Sequence, residues 1–130
     1  MTERIRSFRD LRVYKMAFEL QEEIFEITKR FPKDELYPLT DQIRCSSRSI
    51  GSNIAEAWQK RRYEAHFVSK LSDSDGEQAE TQPWLDTSYA CTYISADEHH
   101  YLLEKCKEVG RMLGGMISNP EPFCRQFEER

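Results

Sequence analysis

Three carboxylates carry most of the chemical potential in this sequence. Glu77 and Glu80 stand three apart, so on a helix they share a face, and Glu56 precedes them with Arg44 and Arg48 close upstream. Carboxylates gathered between helices can hold a divalent metal. The di-metal bundles, however, use Glu-x-x-His, and no Glu here has a His three residues later. A metal-dependent bundle enzyme is therefore the least favoured reading. The favoured one is a structural polar layer of Arg44, Arg48, Asn53, Glu56, Glu77, Glu80 and Thr81 that fixes helix register, because buried charge persists only where it is paired.

The remaining nucleophiles and ligands give weaker patterns. His99 and His100 are adjacent, so on a helix they point about 100° apart and do not readily share one metal. Ser46, Ser47, Ser49 and Ser52 lack a Gly-x-Ser-x-Gly elbow and a nearby His to act as base, so they read as small residues for close helix packing. Cys45, Cys91, Cys106 and Cys124 form no CxxC or CxH pair. No catalytic residue, metal ligand or cofactor is assigned. Basic residues do cluster: Arg4, Arg6, Arg9, Arg12 and Lys15, and then Lys60, Arg61 and Arg62 with Lys70. Of these, Arg4, Arg6, Arg9, Arg12, Lys60, Arg61 and Arg62 are the candidate phosphate contacts, with Tyr63 and His66 placed to stack on bases.

The elements that must carry these residues follow from apolar spacing. Val13, Ala17, Leu20, Ile24, Ile27 and Phe31 advance by alternating steps of four and three, a heptad seam. Beside it lie Leu11, Tyr14, Phe18 and Phe25, so the first helix has a wider apolar face than one neighbour covers, and these four are the oligomer-interface candidates. Asp10 is placed to cap that helix and Pro32 to stop it. Leu36, Leu39, Ile43, Ile50, Ile54 and Ala57 predict a second helix running through the small-residue stretch 45–53. Phe67, Leu71, Ser74, Gln78, Thr81 and Leu85 predict a third with a polar layer at core phase, which Pro83 should kink rather than end. Ser95 and Glu98 form a capping box for a fourth, carrying Tyr101, Leu102, Lys105, Cys106, Val109, Met112, Leu113, Met116 and Ile117. The pattern predicts an all-α, antiparallel up-down-up-down four-helix bundle. Its divisions are a basic arm over 1–9, the bundle over 10–118 and a charged tail over 119–130. In such a bundle the chain start and the second turn lie at one end, where the two basic clusters would form a rim.

Composition narrows the class further. The chain has 130 residues, 32% of them charged and 12% aromatic, which is too aromatic for a disordered chain. The formal charge of −4 is not the footprint of a general nucleic-acid binder. The apolar runs are too short to cross a bilayer, and separated thiols without an apolar leader predict a cytoplasmic protein.

The stretch Phe8-Arg9-Asp10-Leu11-Arg12-Val13-Tyr14, the Phe31-Pro32 stop, Leu39-Thr40-Asp41-Gln42-Ile43-Arg44 and above all Ser49-Ile50-Gly51-Ser52-Asn53-Ile54-Ala55-Glu56-Ala57 resemble the bacterial four-helix-bundle proteins known as 23S rRNA-intervening sequence proteins. Glu77-Gln78-Ala79-Glu80-Thr81 followed by Trp84-Leu85 is similar to the family's third helix. Ala57 stands where the family usually has Gly, and Pro83 is unusual. The resemblance implies a left-handed bundle assembling as a homopentameric ring. It also implies kinship with the accessory variability determinant of diversity-generating retroelements, which engages a reverse transcriptase and nucleic acid. The expected function is a non-enzymatic ring serving as scaffold or recruitment module. The alternative is an accessory factor that binds RNA or DNA, or a nucleic-acid enzyme, through its basic rim.

Overall fold

The heptad seam of the first helix sets the architecture. In α1 (Arg12–Thr28), Val13, Ala17, Leu20 and Ile24 are buried, and Phe31 beyond the helix joins the same core. A computed structural model describes the backbone of residues 5–128 and the side-chain surroundings of residues 5–125. Arg4 of the basic set lies outside the described residues.

Asp10 does not cap α1. It closes a capping box with Ser7 around a short 3-10 turn, Phe8–Asp10, and Leu11 occupies the helix N-cap without a side-chain bond. The arm is tied down as far as it is described, since Ile5 and Phe8 pack against the core. After Pro32 comes a 3-10 turn, Lys33–Glu35, and then a π-helical turn, Leu36–Thr40, before α2 (Asp41–Gln59) begins. The second helix therefore starts later than Leu36 and Leu39 suggested, although Leu39 is buried as its phase requires.

The serine stretch is helical, and Ser46 and Ser47 are buried. Each returns its hydroxyl to the carbonyl three residues back, which satisfies it without breaking the helix. α3 (Glu64–Ala90) runs through Pro83 uninterrupted. α4 (Ala96–Ser118) opens on the Ser95–Glu98 capping box. The segment read as a tail contains a further helix, α5 (Glu121–Glu128), whose Phe123 stacks on Phe67 of α3 at 5.9 Å.

The described residues are helices and turns with no strand, and the four long helices form a helical bundle. α1 packs on α2 and α4, and α3 packs on the same two. Leu20, Ile24, Ile43, Ile50, Ile54, Phe67, Leu71, Leu85, Leu102, Val109 and Leu113 fill the centre. Ser74, Gln78 and Thr81 enter that core at their expected phase, and Ser88 joins them. Ser46 Oγ and Thr81 Oγ1 meet at 2.9 Å, and Ser74 donates to the Ile50 carbonyl at 2.8 Å. These hydroxyls lock α2 and α3 in register at the cost of little volume. Among the described residues no helix is long and apolar enough to cross a membrane.

Candidate functional site

The second stripe of α1 splits once the bundle closes. Leu11 is 4% exposed and belongs to the core, so it leaves the set of interface candidates: the chain turns at the 3-10 segment and folds it inward. Phe18 remains 46% exposed. Tyr14 and Phe25 are half-buried. Tyr14 lies edge-on to Phe8 at 4.8 Å and stacks with Phe18 at 6.2 Å. It also rests on α2 at Gly51, where an added Cβ would meet its ring at 3.3 Å. Lower on the same flank, the guanidinium carbons of Arg44 and Arg48 lie 4.7 Å and 5.4 Å from the Phe25 ring centroid. Arg44 is held there by its Nε–H bond to Thr28 Oγ1 at 2.8 Å. The result is an aromatic ridge topped by cations along the α1–α2 edge.

The ionic layer expected around Arg44 and Arg48 does not form. Those arginines turn toward α1, while the carboxylates lie on the other flank of α2 and on α3. Glu56 is half-exposed and pairs with Lys70 at 2.8 Å and Lys60 at 3.6 Å. Its bond to Lys70 holds its carboxyl below the usual range. Glu80 is exposed and Glu77 half-buried, and among the described residues neither has a cation partner. Desolvation, followed by repulsion from Glu80 and Asp73, raises the Glu77 pKa. Asn53 bonds only back to the Ser49 carbonyl at 2.9 Å. Thr81 alone of the proposed layer is fully buried, and its partners are the Ser46 hydroxyl and the Glu77 carbonyl. The buried polar layer is thus neutral, built of hydroxyls and the Gln78 amide, because the short side chains at core phase exclude anything longer.

The basic clusters fare unevenly. Arg6, Arg9, Arg12, Lys60 and Arg62 are exposed. Arg61 is 5% exposed, its guanidinium flat over the Trp58 ring at 3.9 Å and donating to the Trp58 carbonyl. It anchors the α2–α3 turn and leaves the set of phosphate contacts. Phe123 connects the two clusters: it stacks on Phe67, just beyond that turn, and lines a depression with Ile5, Leu11 and Arg12. Tyr63 is exposed, with its ring 5.5 Å from that of His66.

Other reactive groups are engaged structurally. His99 bonds Asp86 at 2.8 Å and stacks on Tyr89 at 4.7 Å. Burial pushes the Cys106 thiol up to about 12, which keeps it protonated and unreactive. Lys105 bridges α4 to Glu19 and Glu23 of α1 at 2.9 Å and 2.7 Å. Desolvation opposes its charge, but the two carboxylates and the Tyr101 hydroxyl prevail and raise its pKa. No group of three or more His, Cys, Asp or Glu is arranged to hold a metal ion among the described residues.

The sequence matches the 23S rRNA-intervening sequence protein family over residues 9–115. The chain belongs to that family. Its fold is similar to the crystal structure of a protein of unknown function from the S23 ribosomal protein family of Bacteroides thetaiotaomicron. The two are 26% identical, with a TM-score of 0.73 over 81% of this chain and 97% of the other. No curated protein matches the sequence.

For this intervening-sequence protein, the family match ends within α4, so α5 and its seat against Phe67 lie beyond it. The amphipathic signal for α5 was present in Phe123 and Phe127 spaced by four, but Pro120 and Pro122 masked it. Arg61 was legible only through Trp58, three residues earlier, whose ring supplies its seat.

Proposed function

We propose that this protein is a non-enzymatic, self-assembling helical bundle that works as a scaffold or recruitment module. In this reading the helices run up-down-up-down in a left-handed bundle, and copies close into a ring, five in number by resemblance to the family. The reading places the protein in the cytoplasm, where the exposed Cys45 and Cys91 thiols stay reduced. The alternating sense is supported by paired heights: Arg30 after α1 meets Glu98 at the start of α4, whereas Glu19, earlier in α1, meets Lys105, later in α4. Ser46 with Thr81, and Ile50 with Ser74, give the same opposed sense for α2 and α3.

One observation carries the assembly. Phe18 stays 46% exposed at the centre of a ridge that includes Tyr14 and Phe25, after the core is complete. An exposed aromatic on a helix stripe of this kind marks a partner surface. Light scattering coupled to size exclusion should give a mass several times 15.4 kDa for the wild type and a lower mass for F18E. A wild-type chain that runs as a monomer at micromolar concentration would overturn the reading.

A second reading, nucleic-acid binding through the basic end, is supported by the exposed Arg6, Arg9 and Arg12 on the end that Phe123 shares with Phe67 and the Lys60–Arg62 turn. Affinity for single-stranded RNA should fall steeply with salt, and no binding at low salt would eliminate it.

A further inference from the structure

Among the described residues, two groups of like charge at one level of the bundle have no ion-pair partner of opposite sign. Arg44 and Arg48 stand over Phe25 on the α1 side of α2, and among the described residues neither forms an ion pair, although Asp41 lines the same depression. Glu77 and Glu80 stand on α3, and among the described residues neither meets a cation. Elsewhere on the surface ion pairs are common, with Lys70, Lys105, Arg30 and Arg111 each matched to a carboxylate.

The two groups lie at one height on the bundle. The Ser46–Thr81 hydroxyl contact of 2.9 Å fixes the level of α2 against α3. Arg44 and Arg48 flank Ser46 by two residues each, within about 3 Å along the axis. Glu80 precedes Thr81 by one residue and Glu77 by four, about 1.5 Å and 6 Å away along the axis. Between the two flanks, Ser49 and Ser52 turn their hydroxyls back onto their own helix, so α2 projects only short side chains there. A second copy related by rotation about an axis parallel to the bundle would therefore bring its acidic flank to the basic ridge at matching height, without sliding.

Resting on the assembly reading above, we infer that the partner of the Phe25–Arg44–Arg48 ridge is the Glu77–Glu80 flank of another copy of this chain, in a head-to-tail contact. Guanidinium suits this contact: it is weakly hydrated, stays stacked on Phe25, and offers its edge N–H groups to a carboxylate. Glu77, half-buried and crowded by Glu80 and Asp73, gains a counter-charge that its own chain does not supply.

Charge reversal tests the inference on the full chain, with a circular-dichroism melt confirming that each variant is folded. R48E and E80K change exposed positions, and R44E/R48E and E77K/E80K change the full ridges. Each should weaken assembly on the order of a hundredfold, because like charges now face each other. The R48E/E80K double variant should recover the wild-type mass, and an equimolar mixture of R44E/R48E with E77K/E80K should form mixed oligomers where neither associates alone, open or even-numbered because strict alternation cannot close a ring of five. If F18E dissociates the wild-type assembly but the reversed chains keep its mass, this pairing is wrong and the assembly reading stands. If the single variants dissociate and neither the double variant nor the mixture recovers, the pairing is also wrong. A monomeric wild type removes both.

Discussion

Glu77 shows how much a residue's identity leaves unsaid. Its type and spacing admit a metal ligand, a buried ionic layer or a surface contact, and only its surroundings decide. Partial burial and two acidic neighbours raise its pKa without a compensating cation. A carboxyl whose folded pKa lies above its unfolded value binds more protons when folded, so stability falls as pH rises through the carboxylate range. E77Q should therefore raise the melting temperature at pH 7 under conditions where the chain is monomeric, for instance in the F18E background. The gain should shrink to nothing below the carboxylate range, near pH 3. An unchanged or lower melting temperature at pH 7 would show that Glu77 is already compensated. In the assembled wild type the sign should reverse, since the neighbouring arginines would then favour the ionised form. Leu11 and Arg61 teach the same lesson from the other direction. Both were assigned to the surface by type, and one turn and one tryptophan bury them.

At the scale of elements, heptad phase proved the most readable signal. It carried α2 through a run of serines that propensity alone would have called a loop, because the buried positions keep their three- and four-residue steps regardless of side-chain size. Pro83 was tolerated within α3 for the same reason: packing on both sides outweighs one missing hydrogen bond. The start of α2 was misplaced because a π-helical turn shifts the phase, and apolar spacing does not reveal such a turn in advance. Glycines in α4 give a measurable contrast. A Cβ at Gly114 meets nothing within 4 Å, so G114A should stabilise by about 0.5–1 kcal/mol through helix propensity alone. A Cβ at Gly110 would lie 2.9 Å from Nε2 of Gln78, a residue 8% exposed whose amide is held by Asp75 in a chain that continues to Gln82. G110A gains the same propensity but displaces that amide, so it should fall below G114A by about 1–2 kcal/mol in urea titration. Equal effects would mean that Gln78 swings aside at no cost.

For the whole molecule, the sign of the charge and its position pull in different directions. The chain carries a formal −4, and the α1–α4 side alone holds Glu19, Glu22, Glu23, Glu26 and Glu98. A polyanion is therefore repelled from much of the surface, and with the Arg44–Arg48 ridge covered in the proposed assembly it should approach at the end where Arg6, Arg9 and Arg12 are exposed and the α2–α3 turn adds Lys60 and Arg62. Lys60 is already engaged by Glu56, so the N-terminal arginines should dominate. With about four phosphates neutralised per copy, the logarithm of the affinity for single-stranded RNA should fall with a slope near −3 against the logarithm of salt, roughly fiftyfold between 50 and 200 mM. R6E/R9E/R12E should flatten that slope and weaken binding at low salt, measured by fluorescence anisotropy on a labelled oligonucleotide. Assembly would enter as multiplicity: the proposed ring would repeat the basic end around its axis, so F18E, which leaves every arginine in place, should then still lose at least tenfold for an oligonucleotide long enough to reach two copies, and little for a short one. Equal losses on long and short oligonucleotides would show that Phe18 acts on the site itself and that the copies do not share a strand.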